Sequence, residues 1–210
     1  MKIYGALLSP YVRKVALVAS EKGLPWELVL TNPGGTDPAF RAASPFGKIP
    51  AIDDDGFLLP DSTAIVAYLE ARQPAPALLP AEPQLRGRAM WFDEFADTIL
   101  FGAGIKILFH RFVGLKLLKV PVDEAIAAQG EAEMPAIRNW LESVAPAEGW
   151  LLGTTFSLAD YAVASALRSL VPVGWGPRPE DYPRTAAWYA RVAARPGWQA
   201  VAAIEDRPRH

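Results

Sequence analysis

The chain has 210 residues, 51% of them hydrophobic, a formal net charge of -2 and no cysteine. Its length and apolar content suffice for one large domain or two small ones with a buried core. A charge so near neutral gives no general attraction to nucleic acid or to an anionic membrane, leaving only local basic patches for such contacts. The lack of cysteine excludes a disulfide framework, a cysteine-ligated zinc site and a cysteine nucleophile. The N-terminus has no secretory pattern, and no uninterrupted apolar run approaches the roughly 20 residues that span a bilayer, so a cytoplasmic location without a membrane partner is expected.

Lys2–Leu7 suits a short strand. Ser9-Pro10 then opens a helix: Ser is a preferred N-cap, Pro is favoured at the first helical position, and Val12, Val15, Ala16 and Ala19 follow at apolar helical spacing. Arg13, Lys14, Ser20, Glu21 and Lys22 supply much of the expected polar face, and Gly23 ends the helix in the left-handed conformation. Trp26–Thr31 suits a second strand, and strand, helix, strand at this spacing predicts a parallel pair with a crossover. Asp37 before Pro38 marks a short helix. Two apolar runs around Asp55-Gly56 predict a hairpin, after which Ile65, Val66 and Leu69 return to helical spacing. The predicted order is βαβ, a short helix, then ββα.

Residues 73–85 carry four prolines and little periodicity, the pattern of a linker. Beyond them strand signals nearly vanish, and helical patterns run through Met90, Trp91, Phe95, Ile99 and Leu100, then through Ile137, Trp140, Leu141 and Val144. The expected organisation is a small α/β domain over 1–75, a linker over 76–85 and an all-helical domain over 86–210.

Three stretches carry candidate chemistry. The Ser9 hydroxyl can cap the first helix or hold something reactive. At Ile49-Pro50 a trans bond, the state of about 95% of such bonds, would make Pro50 an ordinary edge residue; a cis bond would leave the backbone of Ile49 free to pair with an extended peptide. Asp61-Ser62 can cap the third helix. Alternatively its N–H groups and the Ser62 hydroxyl can receive a carboxylate, with Asp61 placed to accept a ligand ammonium group.

In this order, Ser9 at the first helix, Gly47-Lys48-Ile49-Pro50 before the third strand, Asp61-Ser62 before the third helix, a Pro-rich linker and a helical second half resemble the cytosolic glutathione S-transferase family, in the bacterial type with serine at the thiol-activating position. The resemblance covers almost the entire chain. It includes "TTFSLADYAVAS" at 154–165, where Ser157 and Asp160 have capping-box spacing and a structural role is expected. It implies a thioredoxin-like N-terminal domain, an all-helical C-terminal domain and a homodimer. The implied activity is detoxifying transfer of glutathione, the co-substrate, to a small apolar electrophile, with glutathione peroxidase activity as a variant and no metal. A non-catalytic glutathione-binding or protein-interaction module of the same fold is the alternative.

Carried residue by residue, the resemblance gives Ser9 the hydroxyl that hydrogen-bonds the glutathione sulfur. It gives Ile49, before a cis Pro50, the cysteinyl portion, Asp61 and Ser62 the γ-glutamyl end, and Lys48 the glycyl end. Asp61 stands where many classes carry glutamate. Tyr4 and Tyr11 offer phenols nearby, but position favours Ser9; "LLSPYV" does not match the loop of the maleylacetoacetate isomerase class. Tyr11, Trp91, Phe95, Phe109 and His110 are the expected acceptor pocket, although most of the aromatics at 91–112 also suit helix packing. With only His110 and His210 in the chain, a metal site has little support.

Overall fold

Ile3 and Tyr4 are buried in β1 (Lys2–Gly5), an inner strand of a four-stranded sheet of order β2-β1-β3-β4. The structure, a computed structural model, describes residues 1–205. The chain divides into two compact units, one of Met1–Leu79 with the chain from Ala193 onward and one of Pro80–Val192.

In the first unit, α1 (Pro10–Glu21) is the crossover from β1 to the parallel strand β2 (Glu27–Leu30), as expected from the spacing. Next come α2 (Pro38–Ala43), the antiparallel strands β3 (Ala51–Asp54) and β4 (Phe57–Pro60), and α3 (Ser62–Arg72). Local chemistry explains the punctuation. Asp37 caps α2 by accepting the Phe40 N–H at 2.9 Å. Asp55 and Gly56 have φ of 54° and 92°, the paired positive values of a two-residue hairpin turn that continues the strand twist. After α1, Gly23 at φ 66° donates to Ser20 and Leu24 donates to Ala19, the double bond pattern of a Schellman stop.

The topology places the functional segments. Because β3 runs against β1, with Ala51 opposite Tyr4, and β4 runs against β3, with Pro60 opposite Ala51, three connections meet at one end of the sheet. The chain leaves β1 toward Ser9, enters β3 from Ile49-Pro50 and leaves β4 into Asp61-Ser62.

The expected polar face of α1 is corrected. Arg13, Lys14 and Lys22 are buried, because other elements cover them. The Arg13 guanidinium grips Glu205 of α9 (Pro196–Glu205) at 2.7 and 3.3 Å. The Lys22 ammonium donates to the carbonyls of Gln73 and Pro76 at 2.7 and 2.8 Å and pairs with Glu70 at 3.0 Å. Helix α9 therefore packs on α1 within the first unit, whereas composition assigned everything from residue 86 onward to the helical domain. His210 lies outside the described residues.

The second unit begins inside the expected linker. Glu82 caps α4 (Pro83–Glu94) through the N–H groups of Gln84 and Leu85 at 2.9 and 2.7 Å, so residues 83–85 are helical; Leu78 and Leu79 of the expected linker are buried. A π-helical stretch Phe95–Leu100, α5 (Phe101–Leu108) and a second π-helical stretch Phe109–Leu118 continue the helix. Long enough and, at a mean hydropathy of 1.4 in one window, apolar enough to cross a membrane, this run packs along α6 (Glu124–Val144) and α7 (Leu158–Ser169). The sequence expectation of no such run is thereby refined: Lys106 interrupts the apolar residues, and it pairs with Glu133 of α6 at 2.7 Å.

Helix α7 is buried over almost its whole length, so its start has to be satisfied internally. Ser157 and Asp160 form the expected capping box. Asp160 Oδ1 also accepts the Leu151 N–H and the indole N–H of Trp188 in α8 (Pro183–Ala193), both at 2.9 Å. Burial pushes the Asp160 carboxyl up, against these hydrogen bonds, which pull it down.

Candidate functional site

Ser9 is built into the first turn of α1 by its backbone. Its N–H donates to the Ala6 carbonyl at 2.9 Å and its own carbonyl accepts the Arg13 N–H at 3.0 Å. Its φ and ψ of -71° and 126° are those of an N-cap, yet its side chain makes no capping hydrogen bond. The expectation that Ser9 caps the helix through its hydroxyl is therefore corrected. The hydroxyl is half-buried at the positive end of a helix and not spent on that helix.

The approach of the other segments depends on Gly5. A Cβ there would come within 2.4 Å of Val12 Cγ2 and 3.4 Å of the Ile49 Cβ, at a φ of 150° that other residues rarely adopt. Glycine lets the end of β1 lie against Val12 of α1 and beside Ile49. The Ile49-Pro50 bond is cis. Ile49 is half-buried against the cluster of Tyr4 and Phe40, and among the described residues its N–H and C=O enter none of the loop hydrogen bonds. Lys48 keeps its side chain exposed while its carbonyl accepts the Ser44 hydroxyl at 2.7 Å.

Asp61 and Ser62 are tied to this loop by the Asp61 N–H, which donates to the Pro50 carbonyl at 3.3 Å. Asp61 does cap α3, its Oδ1 accepting the N–H groups of Thr63 and Ala64 at 3.0 Å each. That occupies two of the donors expected for a ligand carboxylate and leaves the N–H and hydroxyl of buried Ser62 for that role. Asp61 holds φ at 77°, a left-handed conformation costly for a side-chain-bearing residue. Such strain is retained where its surroundings demand it, often beside a ligand.

Of the alternative phenols, Tyr4 is packed against Phe40 with ring centroids 6.0 Å apart, and burial, then Asp53, pushes its hydroxyl up, holding it neutral. Tyr11 is half-buried in the first turn of α1. The expected acceptor residues of the second unit fall into two groups. Trp91 and Phe95 join Phe92 in an aromatic cluster around Trp140, Phe95 being 4.6 Å from it and buried. Phe109 and His110 meet edge to face at 5.1 Å, both half-buried, about 20 Å farther along the helical run. The His110 Nδ1 accepts the Asp123 N–H at 2.9 Å, a bond that joins the end of the run to the start of α6. Sequence reasoning missed the pairing of Arg13, one turn from Ser9, with Glu205, because it spans 192 positions.

Two family models match the chain: the glutathione S-transferase N-terminal domain over residues 3–77 and the glutathione S-transferase C-terminal domain over residues 123–191. Glutathione S-transferase 3 of Zea mays is 33% identical, the alignment covering 99% of this chain and 96% of the relative. FtsZ-localized protein A of Caulobacter vibrioides is 27% identical over 93% of this chain and 88% of its own. Among solved structures, a glutathione S-transferase from Rhodospirillum rubrum F11 superposes with a TM-score of 0.86 at 26% identity, covering 95% of this chain and 90% of that one.

Proposed function

Because this chain belongs to the glutathione S-transferase family, we propose that it holds glutathione at the converging end of its sheet and activates the thiol at Ser9 for attack on a small apolar electrophile. The carrying observation is the Ser9 side chain, which stands at a helix N-terminus without capping it. A free thiol has a pKa near 8.5, and lowering it by about two units requires roughly 2.7 kcal/mol of preference for the thiolate. A hydroxyl donating to sulfur, at the positive end of α1, supplies a large part of that. The sulfur then attacks the electrophilic carbon, a C–S bond forms, and the displaced electron pair leaves with the departing group or enters the acceptor's π system. Ser9 donates a hydrogen bond throughout and is not itself a nucleophile.

Binding is spread over the other segments. The backbone of Ile49 beside Pro50 pairs with the cysteinyl portion, Ser62 receives the γ-glutamyl carboxylate, Asp61 takes the ammonium group and Lys48 reaches the glycyl end. Within the second unit, Phe109 and His110 are favoured as acceptor residues over Trp91 and Phe95, because the latter two already pack around Trp140; in the first unit Tyr11 keeps that assignment. Peroxide reduction by the same thiolate is a compatible side activity. A homodimer fits the exposed apolar side chains Ile99 and Ile105 of the second unit, with room for a neighbour at Gly102 between them, and a cytoplasmic location is proposed from the family alone.

The test is an ultraviolet titration of the thiolate of bound glutathione in wild type and Ser9→Ala. A thiol that ionises well below 8.5 in the wild type and near it in the variant supports the enzyme. Binding with an unshifted thiol in the wild type favours the second reading, a binding module, for which the likeness to FtsZ-localized protein A is the supporting observation. Absence of binding overturns both.

A further inference from the structure

We infer that the end of α9 sets the electric field at the Ser9 end of α1: Arg13 is a positioning residue that favours a bound thiolate, and Glu205 is the counter-charge that limits it. This rests on the thiol-activation reading. Arg13 is 1% exposed, and its Nη2 and Nε meet the two carboxylate oxygens of Glu205 at 2.7 and 3.3 Å. Its backbone N–H closes the first turn of α1 on the Ser9 carbonyl at 3.0 Å, so the two residues stand one turn apart.

The direction of α9 gives this pair its meaning. Arg195, just before α9, pairs with Glu21 at the end of α1, while Glu205, the last residue of α9, pairs with Arg13 near the start. The helices run antiparallel, and the negative end of α9 with its carboxylate lies beside the positive end of α1. With Arg13 buried and Glu205 only partly exposed, solvent and salt screen the pair less than they would a surface pair. A cation one turn from the sulfur lowers the thiol pKa, and a carboxylate bound to that cation takes most of the effect back. Were the pair only a strap, either loss would loosen α9 and leave the thiol alone.

Among the described residues, the other charges on the elements around this end are as follows. On α1, Lys14 is buried beside Arg13, Glu21 is paired with Arg195, and Lys22 with Glu70 of α3. Also on α3, Arg72 and Tyr68 are bound to Asp54, and Asp61 caps the helix start. On β1, Lys2 is exposed and Tyr4 is neutral. Glu205 is the one charged residue of α9.

The experiment titrates bound glutathione in the full chain as wild type, Glu205→Gln, Arg13→Met and the double variant, with a melting curve for each. Glu205→Gln lowers the thiol pKa by about 0.5–1 unit, Arg13→Met raises it by a similar amount, and the double variant returns near wild type. Arg13→Lys, which keeps the charge and loses the two-pronged grip, stays within about 0.3 unit of wild type as the control, and if Arg13→Met does not fold the shift in Glu205→Gln decides. In Glu205→Gln and Arg13→Met, shifts of the same sign, or below about 0.2 unit while melting temperatures fall, overturn the inference and leave a strap. A depressed wild-type thiol with unmoved variants defeats this inference alone. An unshifted wild-type thiol with opposite shifts in the variants defeats Ser9 activation alone.

Discussion

Ser9 and Ser157 each stand one residue before a helix, α1 in the first unit and α7 in the second, and they use the same hydroxyl differently. Ser157 accepts the Ala159 N–H at 3.3 Å, and Asp160 at the third helical position returns a bond to the Ser157 N–H at 3.1 Å. Ser9 makes no capping bond, and the third position of α1 is Val12, which has nothing to return. The start of α7 is sealed in a core, where every polar group needs an internal partner. The start of α1 is at a sheet end where three loops converge, and an outside molecule can supply the partner. A serine withheld from its own helix is thus a more informative sign of function than a serine at a cap position.

That contrast can be broken by experiment. Asp160→Ala strands the N–H groups of Leu151, Ser157 and Trp188 in the core, and should lower unfolding free energy by about 3–5 kcal/mol in chemical denaturation. A loss under about 1 kcal/mol would mean the α7 start is not a sealed counterpart of the α1 start. Next in size, Ser9→Ala should raise the bound thiol pKa by up to about two units, or 2.7 kcal/mol, while unfolding free energy changes by no more than about 0.5 kcal/mol. A stability loss without a thiol shift would make Ser9 another cap. Ser157→Ala should cost about 1 kcal/mol of stability and leave the thiol titration unmoved.

The smallest expected effect is a pH dependence of the second unit. Glu142 accepts the N–H groups of Arg184 and Thr185 at 2.8 and 2.9 Å and the Thr185 hydroxyl at 2.7 Å, at the start of α8. Burial pushes its carboxyl up, but these bonds together outweigh it and hold the group below the usual carboxylate range. Its contribution is therefore complete above the ordinary value of about 4.3 and is lost as pH falls through the depressed native one. Glu142→Gln should flatten the acid limb of a stability curve measured between about pH 2 and 6, while the bound thiol titration stays that of the wild type.

Much of the first unit was legible because its signals are short-ranged. Asp37-Pro38, Asp55-Gly56 and Gly23 each dictate a turn or a cap within a few residues, and all three do so in the structure. The order of elements followed from them. At the candidate site, Asp61 was readable as a cap, but its use of the Thr63 and Ala64 donors narrows the groups left for a ligand to Ser62. Ser9 was placed at the right helix end and given the wrong bond, because propensity describes what capping serines do on average. The aromatic residues at 91–110 could not be sorted by period, since the π-helical stretches at Phe95–Leu100 and Phe109–Leu118 break it.

Turns, caps and the α/β-then-helical succession are encoded by neighbours in the chain, so the list of elements, their order and the family could be read without the fold. Tertiary structure alone decided which charges are inside. Arg13, Lys14 and Lys22 have the spacing of a solvent-facing stripe, yet they are buried, Arg13 against Glu205 and Lys22 against Glu70, Gln73 and Pro76. A cation can leave water only where paired charges and carbonyls replace its hydration. For Arg13 that partner comes from the far end of the chain, so its burial is a property of the packed fold and of no local stretch.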